Sequence, residues 1–354
     1  SYYRQPWSTC PDFGKRLPKQ LRKLGRFTIV GNAKVSTTAL DTDFKMTTEL
    51  GNGEVDLNMN NIDVIDKASY SGNIVLDNFN VGALLDRKDV GRTTLNLDVD
   101  GVGFSKKYLN TVVKGDITKL DYNKYTYNNI VLNGNFKLPY YKGELSVNDP
   151  NLSMTFDGMV DLSNKVNKYD FHLNVENADL RKLKIVKDSI SYFRGDAVVS
   201  VTGNSIENLQ GNVFIKDAVY QNKKDSYIFD ELNVNSSFGE DRLRTITINS
   251  TDVINGKIVG KFQFAQLGKL AMNSVGSLYT NFKPHKVKKG QFLRFNFHIY
   301  NKVVDMLYPD IEIDSSTVVR GKIDSDQNEF KFRFNSQKIT ASKNTFDNVR
   351  INID

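Results

Sequence analysis

Apolar residues that alternate with polar ones along most of the chain constrain the fold more than any other feature. A period of two places the apolar residues on one side of a β-strand and the polar residues on the other. The polar partners are mostly Asn, Asp, Thr, Lys and Ser. One wet face and one dry face are typical of antiparallel sheets. The number of such runs predicts about 20 strands and an overwhelmingly β fold.

Turn-forming residues separate the alternating runs, and only a few segments carry a helical period. Turns are predicted at Gly134-Asn135, at Asn148–Pro150 and at Asn255-Gly256. Apolar residues at helical spacing predict helices over 265–279 and 301–308, and a short basic helix over 17–25. We interpret each of these helices as covering or capping a sheet.

An internal repeat organises the chain. An aromatic residue, two residues of the Asp/Asn/Glu type and an alternating strand recur at 127–133, 229–235 and 346–352. A second shared block precedes each copy. The predicted organisation is a basic N-terminal segment with a short helix over residues 1–30, repeat 1 over 31–162, repeat 2 over 163–264, an amphipathic helix and connecting loop over 265–289, and a truncated repeat 3 over 290–354.

The strand count also limits the architecture. A sheet of about 20 strands does not stay open and flat, and the chain has only 7 Pro and no Pro/Gly/Ser-rich linker between separate domains. We therefore expect an all-β fold: an elongated, twisted antiparallel sheet curled into an open hydrophobic groove, with a few short helices. Compact sandwiches are the structural alternative.

The apolar residues of the alternating runs are the candidate site. Alternation puts each set on a single face of its strand, and these faces are predicted to line the groove. The predicted lining residues are Val55, Leu57, Met59, Ile74, Leu76, Leu95, Leu97, Val99, Phe171, Leu173, Val175, Val199, Val201, Val213, Ile215, Ile246, Ile248, Phe262, Phe264, Phe295, Phe297, Ile299, Phe330, Phe332 and Phe334.

The distribution of charge argues against nucleic acid as a partner. The formal net charge is +7, but residues 1–30 hold seven Lys and Arg against Asp12, so 7 − 1 = +6 of it lies there. The remaining chain is nearly neutral, whereas a phosphate-binding surface needs Lys and Arg clustered on a folded face. The basic segment is interpreted as a solvated helix face, and contact with an acidic membrane surface or partner stays open.

The chain lacks the motifs of common catalytic and metal sites. The single cysteine, Cys10, excludes an internal disulfide framework. No Walker loop, nucleophile elbow, dinucleotide fingerprint or calcium-binding repeat is present. We therefore predict that the protein is not an enzyme and carries no metal and no cofactor. The histidines and several aspartates are interpreted as structural or turn residues: His172, His285, His298, Asp63, Asp66 and Asp149.

The order of the blocks within 171–218 resembles the repeat of TamB-type proteins. It runs from an alternating strand through Asn-Ala-Asp-Leu-x-x-Leu and Gly-x-x-x-Val-x-Val to Val-x-Ile-x-Asp-Ala. These proteins belong to the bacterial AsmA-like group, and the form here is similar to the branch found in Bacteroidota. Residues 244–282 and 290–301 are similar to that branch as well. The resemblance covers most of residues 15–354.

The resemblance implies a periplasmic protein anchored in the inner membrane through a segment absent from this sequence. Its hydrophobic groove would carry phospholipid acyl chains between the inner and outer membranes, or support assembly of outer-membrane proteins. The implied protein partner is an outer-membrane β-barrel of the TamA type, contacted through other parts of a longer chain. The alternative is an extended non-catalytic β-repeat scaffold or surface adhesin whose inward residues pack only on each other.

Overall fold

The protein is built almost entirely from antiparallel strands. The computed structural model describes residues 23–105, 107–186, 191–223, 225–276, 283–308, 310–327, 329–342 and 344–353. Twenty strands belong to one sheet, with three short α-helices and two short 3-10 helices among them. The predicted all-β antiparallel fold with few helices is therefore confirmed. Most of the predicted basic helix over 17–25 lies outside the described residues.

The chain forms two compact units. Within the described residues, the first runs to Asp157 and includes Lys182–Ile185, and the second holds Gly158–Arg181 and the residues from Val186 onward. Strand β9 (Leu152–Asp161) contains the boundary. The division into three repeats stays a prediction.

The first unit is a meander of β1 (Phe27–Val35), β2 (Ala39–Thr48), β3 (Gly51–Asn60), β4 (Ser69–Asn80), β5 (Val90–Val102), β6 (Asn110–Tyr122), β7 (Tyr125–Lys137) and β8 (Tyr140–Asp149).

The second unit continues as a meander with one short insertion. Strand β18 pairs with both β16 and β19, while the three-residue β17 pairs with a further part of β19. Its strands are β10 (Lys168–Asp179), β11 (Ser191–Thr202), β12 (Gln210–Asn222), β13 (Ser226–Phe238), β14 (Arg244–Asn249), β15 (Ile254–Lys261), β16 (Phe292–Ile299), β17 (Ile311–Ile313), β18 (Val318–Asp324), β19 (Glu329–Ala341) and β20 (Asn344–Ile353).

Short helices connect consecutive strands in the first unit. A 3-10 helix over Ile62–Lys67 joins β3 to β4, and α1 (Val81–Leu85) joins β4 to β5. The Asn80 side chain accepts a hydrogen bond from the Ala83 amide at 2.9 Å. This bond satisfies one of the amides that a helix start leaves without a partner.

The helices of the second unit confirm two predictions as far as they are described. A 3-10 turn over Phe264–Gln266 leads into α2 (Leu267–Gly276), where a helix over 265–279 was expected. Helix α3 (Asn301–Leu307) matches the predicted helix over 301–308. Leu270 of α2 is buried against Ile246, Leu293 and other apolar residues of the sheet, so α2 covers a sheet as interpreted.

Three local predictions are wrong. The alternating run at 262–264 is not a strand, because β15 ends at Lys261 and Phe264 begins the 3-10 turn. Gly134-Asn135 and Asn255-Gly256 lie inside β7 and β15 instead of in turns. At Gly256 an added Cβ would lie 2.5 Å from Cδ1 of Phe297. The missing side chain makes room for a ring from the neighbouring strand, so this glycine serves packing and not chain reversal.

Candidate functional site: an apolar sheet face

The strand register of the first unit brings the predicted lining residues onto one side of the sheet. Val55 lies opposite Ile74, and Ile74 lies opposite Leu97. Directly opposite residues in an antiparallel ladder share a face. The predicted residues of this unit lie on that face, Met59 buried and the others half-buried: Val55, Leu57, Met59, Ile74, Leu76, Leu95, Leu97 and Val99.

The second unit has an apolar face of the same kind. Phe171 lies opposite Val199 and Val199 opposite Val213, while Phe295 lies opposite Ile258. Every predicted lining residue here is buried or half-buried. Those on strands share this face: Phe171, Leu173, Val175, Val199, Val201, Val213, Ile215, Ile246, Ile248, Phe295, Phe297, Ile299, Phe330, Phe332 and Phe334. Phe262 and Phe264 follow β15 and pack into the same cluster.

The opposite side of the sheet, which we call the polar face, carries most of the polar side chains in both units, together with exposed valines such as Val131 and Val198. Asn73 Nδ2 donates hydrogen bonds to Asn96 Oδ1 at 2.8 Å and to Asp98 Oδ1 at 2.9 Å, across two neighbouring strands. In the second unit His172 Nε2 lies 2.6 Å from an oxygen of Asp196. These contacts give polar side chains of this face partners within the sheet.

The apolar face, by contrast, is covered only locally. In the first unit Met59, Ala68 and Tyr70 form a small buried cluster beside Ile62 of the 3-10 helix. In the second unit α2 covers Ile246, Leu293 and their neighbours. The described strands of each unit belong to a single sheet, so neither unit is the two-sheet sandwich that was the structural alternative. Most of the apolar side chains are therefore half-buried, not enclosed.

Arg244 interrupts the apolar face of the second unit, and sequence reasoning missed it. It begins β14 on the same side as Ile246, and only 4% of the residue is exposed. Its guanidinium donates hydrogen bonds to the carbonyls of Ile206 and Leu209 at 2.9 and 3.0 Å, and to Ser236 Oγ at 3.1 Å. Burial lowers the pKa of Arg244, although the charge of Glu207 opposes that shift.

Two phenylalanines and a carboxylate complete the surroundings of Arg244. The guanidinium lies 4.7 Å from the ring centre of Phe264 and 5.3 Å from that of Phe238, a geometry in which aromatic rings attract cations. The Glu207 carboxylate accepts from the amides of Phe264 and Ala265 at 2.9 and 3.2 Å. Arg244 and Glu207 thus join the β11–β12 loop to the start of α2. The only signal in the sequence was an arginine at an apolar position of an alternating strand.

A depression of about 360 Å³ opens beside this arrangement. Its apolar-face residues are Tyr169, Val201, Gly211 and Phe238, contributed by β10 to β13. Lys168, Gln210 and other polar residues complete its lining. It combines an apolar wall with a polar rim at one end of these strands.

Asp149 is a buried carboxylate of the first unit, with 4% of the residue exposed. It accepts hydrogen bonds from the Tyr125 hydroxyl, from the Asn128 amide at 3.0 Å and from Asn128 Nδ2 at 2.7 Å. It also accepts from the Asn151 amide at 2.9 Å. Burial by itself raises the pKa of Asp149, and the hydrogen bonds outweigh burial and lower it. Asp149 therefore holds the end of β8 against the start of β7.

We expect the Asp149→Asn substitution to lower the free energy of unfolding by about 2 kcal/mol at neutral pH, because an amide cannot accept all of these bonds. The pKa of Asp149 is lower in the folded chain than the unfolded value near 4. Its stabilising contribution is thus present above about pH 4 and is lost as the pH falls through the folded pKa. Urea unfolding followed by circular dichroism at pH 7 and at pH 3 measures both quantities.

The exposed Asp157 provides the control for this prediction. Asp157→Asn should change the free energy of unfolding by less than about 0.5 kcal/mol at either pH. If Asp149→Asn had the same effect at pH 3 as at pH 7, the carboxylate charge would not be what stabilises the strand end.

The remaining chemistry of the described residues is sparse. No group of three or more His, Cys, Asp or Glu side chains among them is arranged to hold a metal ion. Within the same residues, no helix is both long enough and apolar enough to span a membrane. No family model, curated protein or solved structure matches the chain. The apolar face is therefore the feature on which a function is best argued.

Proposed function

We propose that the apolar face binds the acyl chains of phospholipids and that the protein takes part in lipid movement between the two membranes of a bacterial envelope. The observation that carries this proposal is an apolar face that continues across the strands of each unit without a second sheet over it. Monomeric proteins rarely leave more than a few hundred Å² of contiguous apolar surface without a use for it.

The chemistry of the face suits hydrocarbon chains. Its predicted lining residues are aliphatic or aromatic, and their alternating neighbours point to the other side of the sheet. Each methylene that leaves water for such a surface contributes about 0.8 kcal/mol. Because the contacts are spread over many similar side chains, no single position dominates binding, and an acyl chain has many nearly equivalent positions. This is the property a conduit needs.

The proposed setting follows from the resemblance to TamB-type proteins. It places the protein in the periplasm, with membrane attachment and contact with an outer-membrane β-barrel made by other parts of a longer protein. In this proposal the chain binds and shields lipid without changing its covalent structure. The role in lipid movement and a role in outer-membrane protein assembly share the same apolar face.

A non-catalytic scaffold or adhesin is the second candidate function. It is favoured by the clusters in which inward residues already pack on each other, such as Met59 with Tyr70 and Leu270 with Leu293. If these side chains pack completely on each other, the face exposes no apolar surface to which lipid could bind. The two functions differ in one measurable property, which is whether phospholipid occupies the apolar face.

We expect photocrosslinking groups at Leu97, Leu173 and Phe297 to capture phospholipid in cells that make the protein. These side chains lie on the apolar face and are half-buried. Matched groups at Asn96, Asn174 and Asn296 test the polar face, since each is the chain neighbour of an apolar-face residue. Lipid attached to the purified protein, measured by mass spectrometry, should be at least about tenfold greater at the apolar positions, because an acyl chain gains little from a hydrated surface.

Equal capture on the two faces would show that the groups react with lipid non-specifically. Capture on neither face would favour the scaffold. Either result would remove the support for lipid binding without bearing on the fold, because the substituted side chains are partly or fully accessible and the variants can be checked by circular dichroism.

A further inference from the structure

The polar face of the second unit carries a cluster of cations that the nearly neutral charge of residues 31–354 conceals. Between Asp252 and Asp305 the sequence has no acidic residue and nine cations, which are Lys257, Lys261, Lys269, Lys283, Lys286, Lys288, Lys289, Arg294 and Lys302. Two of them, Lys257 and Arg294, lie on β15 and β16. Strands β18 and β19, which follow β16 in the sheet, add four more.

These six side chains form two rows across four adjacent strands. The first row is Arg294, Lys322 and Lys331, the second is Lys257, Arg320 and Arg333, and we call the six together the basic patch. Each is the chain neighbour of an apolar-face residue, so alternation puts all six on the polar face. Strands lie about 4.8 Å apart and residues two positions apart on a strand about 7 Å. The basic patch therefore covers about 14 by 7 Å.

The strand register sets like charges directly opposite one another. Lys322 lies between Arg294 and Lys331, and Arg320 lies opposite Arg333. Five of the six side chains are exposed and Lys322 is half-buried. Like charges opposite each other on a sheet are destabilising, so a bound anion would relieve a repulsion that is built into these strands.

Acidic side chains compensate only part of this charge. Glu329 contacts the Lys322 ammonium and lies 3.7 Å from that of Lys331. Asp324 lies opposite Glu329, one position beyond the first row on the same face. The six cations of the basic patch against these two carboxylates leave a net charge of +4.

A basic loop adjoins the patch at the end nearer the first row. Residues 283–289, which we call the basic loop, have the sequence Lys-Pro-His-Lys-Val-Lys-Lys, and all four lysines are exposed. The Gly290 amide, directly after the loop, donates to Asp326 at 2.9 Å, two residues beyond the end of β18. The loop therefore lies beside the strand ends that carry Asp324 and Phe292.

We propose that the basic patch and the basic loop dock the protein on a membrane surface that carries anionic lipid headgroups. Mobile headgroups match a flat, two-dimensional array of cations without a need for close shape complementarity. Clusters of four to eight Lys and Arg are typical of such contacts, and each cation near the surface strengthens binding about fivefold. In this orientation the apolar face of the second unit points away from the headgroups. The inference does not depend on acyl-chain binding by that face.

Two other anionic partners fit the basic patch less well. The core of a protein interface is depleted of charged residues, whereas Val259, half-buried, is the only apolar side chain in the two rows on these four strands. Single-stranded nucleic acid binds by stacking its bases on aromatic rings. The phenylalanines of β16 and β19 lie on the apolar face, except for the half-buried Phe292.

The test measures sedimentation of the full chain with vesicles made of phosphatidylglycerol and phosphatidylcholine in equal parts. We expect binding at low salt that falls as the ionic strength rises, because salt screens exposed charges, and no binding to pure phosphatidylcholine. The double variant Arg320→Gln with Arg333→Gln removes two adjacent cations and should weaken binding about twenty- to thirtyfold. Arg320→Lys with Arg333→Lys keeps the charge and should bind within about threefold of the unsubstituted chain.

The matched control is Lys114→Gln with Lys142→Gln, which removes two exposed cations from strands of the first unit. It changes the net charge equally and should weaken binding by less than about twofold. Circular dichroism checks that each variant keeps its sheet.

Several results would overturn the proposal. Vesicle binding that survives Arg320→Gln with Arg333→Gln would assign the contact to other cations, such as those of residues 1–30. An equal loss in the control variant would show a response to net charge alone. If a labelled DNA duplex lost affinity for the Arg320→Gln, Arg333→Gln variant while vesicle binding stayed unchanged, the patch would belong to nucleic acid. Lipid capture by the apolar face is measured separately by the photocrosslinking experiment, so the two proposals can fail independently.

Discussion

Replacing Arg244 by alanine is expected to lower the free energy of unfolding by about 3 kcal/mol, among the largest effects of any single side chain. The guanidinium is the hydrogen-bond donor for the loop carbonyls of Ile206, Glu207 and Leu209 and for the Ser236 hydroxyl. Alanine would remove these donors, although Leu209 would keep its hydrogen bond from the Ser236 hydroxyl, and it would open a cavity between Phe238 and Phe264. Urea unfolding followed by circular dichroism measures the loss.

Arg294 is the matched control for this substitution, because it lies exposed on the polar face of β16. Arg294→Ala should change the free energy of unfolding by less than about 0.5 kcal/mol. Arg244→Lys keeps the charge but cannot reproduce the planar set of donors, so its loss should lie between the two. A loss below about 1 kcal/mol for Arg244→Ala would mean that water or neighbouring groups satisfy the loop carbonyls equally well.

A second large effect is expected at Gly72, which faces Leu57 and Val99 in the middle of the first unit. Its φ of 146° is unfavourable for other residues, and an added Cβ would lie 2.0 Å from the Asp56 carbonyl oxygen. Gly72→Ala must therefore move the backbone of β3 or β4. We expect a loss of at least about 2 kcal/mol in the free energy of unfolding, with faster hydrogen exchange in both strands.

Gly268 shows the opposite situation and provides the control. It lies in α2, and nothing would lie within 4 Å of an added Cβ. Gly268→Ala should raise the stability by up to about 1 kcal/mol, because alanine favours the helical conformation. If Gly72→Ala were as well tolerated as Gly268→Ala, the close approach of β3 and β4 would not be a packing requirement of the sheet.

Alternation predicted the strands and their faces well for a physical reason. In a sheet with one apolar side, each strand must place its apolar residues at every second position, whatever its neighbours are. Runs such as Phe295–Ile299 and Phe330–Phe334 therefore identify both the strand and its inward residues. The helices at 267–276 and 301–307 were recognisable because their apolar residues recur at the helical period.

The errors have a common origin in contacts between strands. Gly134 and Gly256 have the local signature of turns but lie within strands, where a neighbouring strand occupies the space of a side chain. Phe262 and Phe264 keep the alternating pattern although the chain turns toward α2 after Lys261. A pattern within one segment carries no information about which other segment will lie against it.

The amino-acid sequence by itself determined that this chain folds as antiparallel strands with one apolar and one polar side, since that property depends only on the spacing of residues along each strand. It also marked an aromatic motif that recurs in three of the strands. Only the tertiary structure decided that Arg244 is buried beside the loop carbonyls and that Asp149 accepts a hydrogen bond from the Asn128 amide of β7. Those contacts join residues that are 21 and 38 positions apart, so they arise from the register between strands and from the folding of loops across their ends.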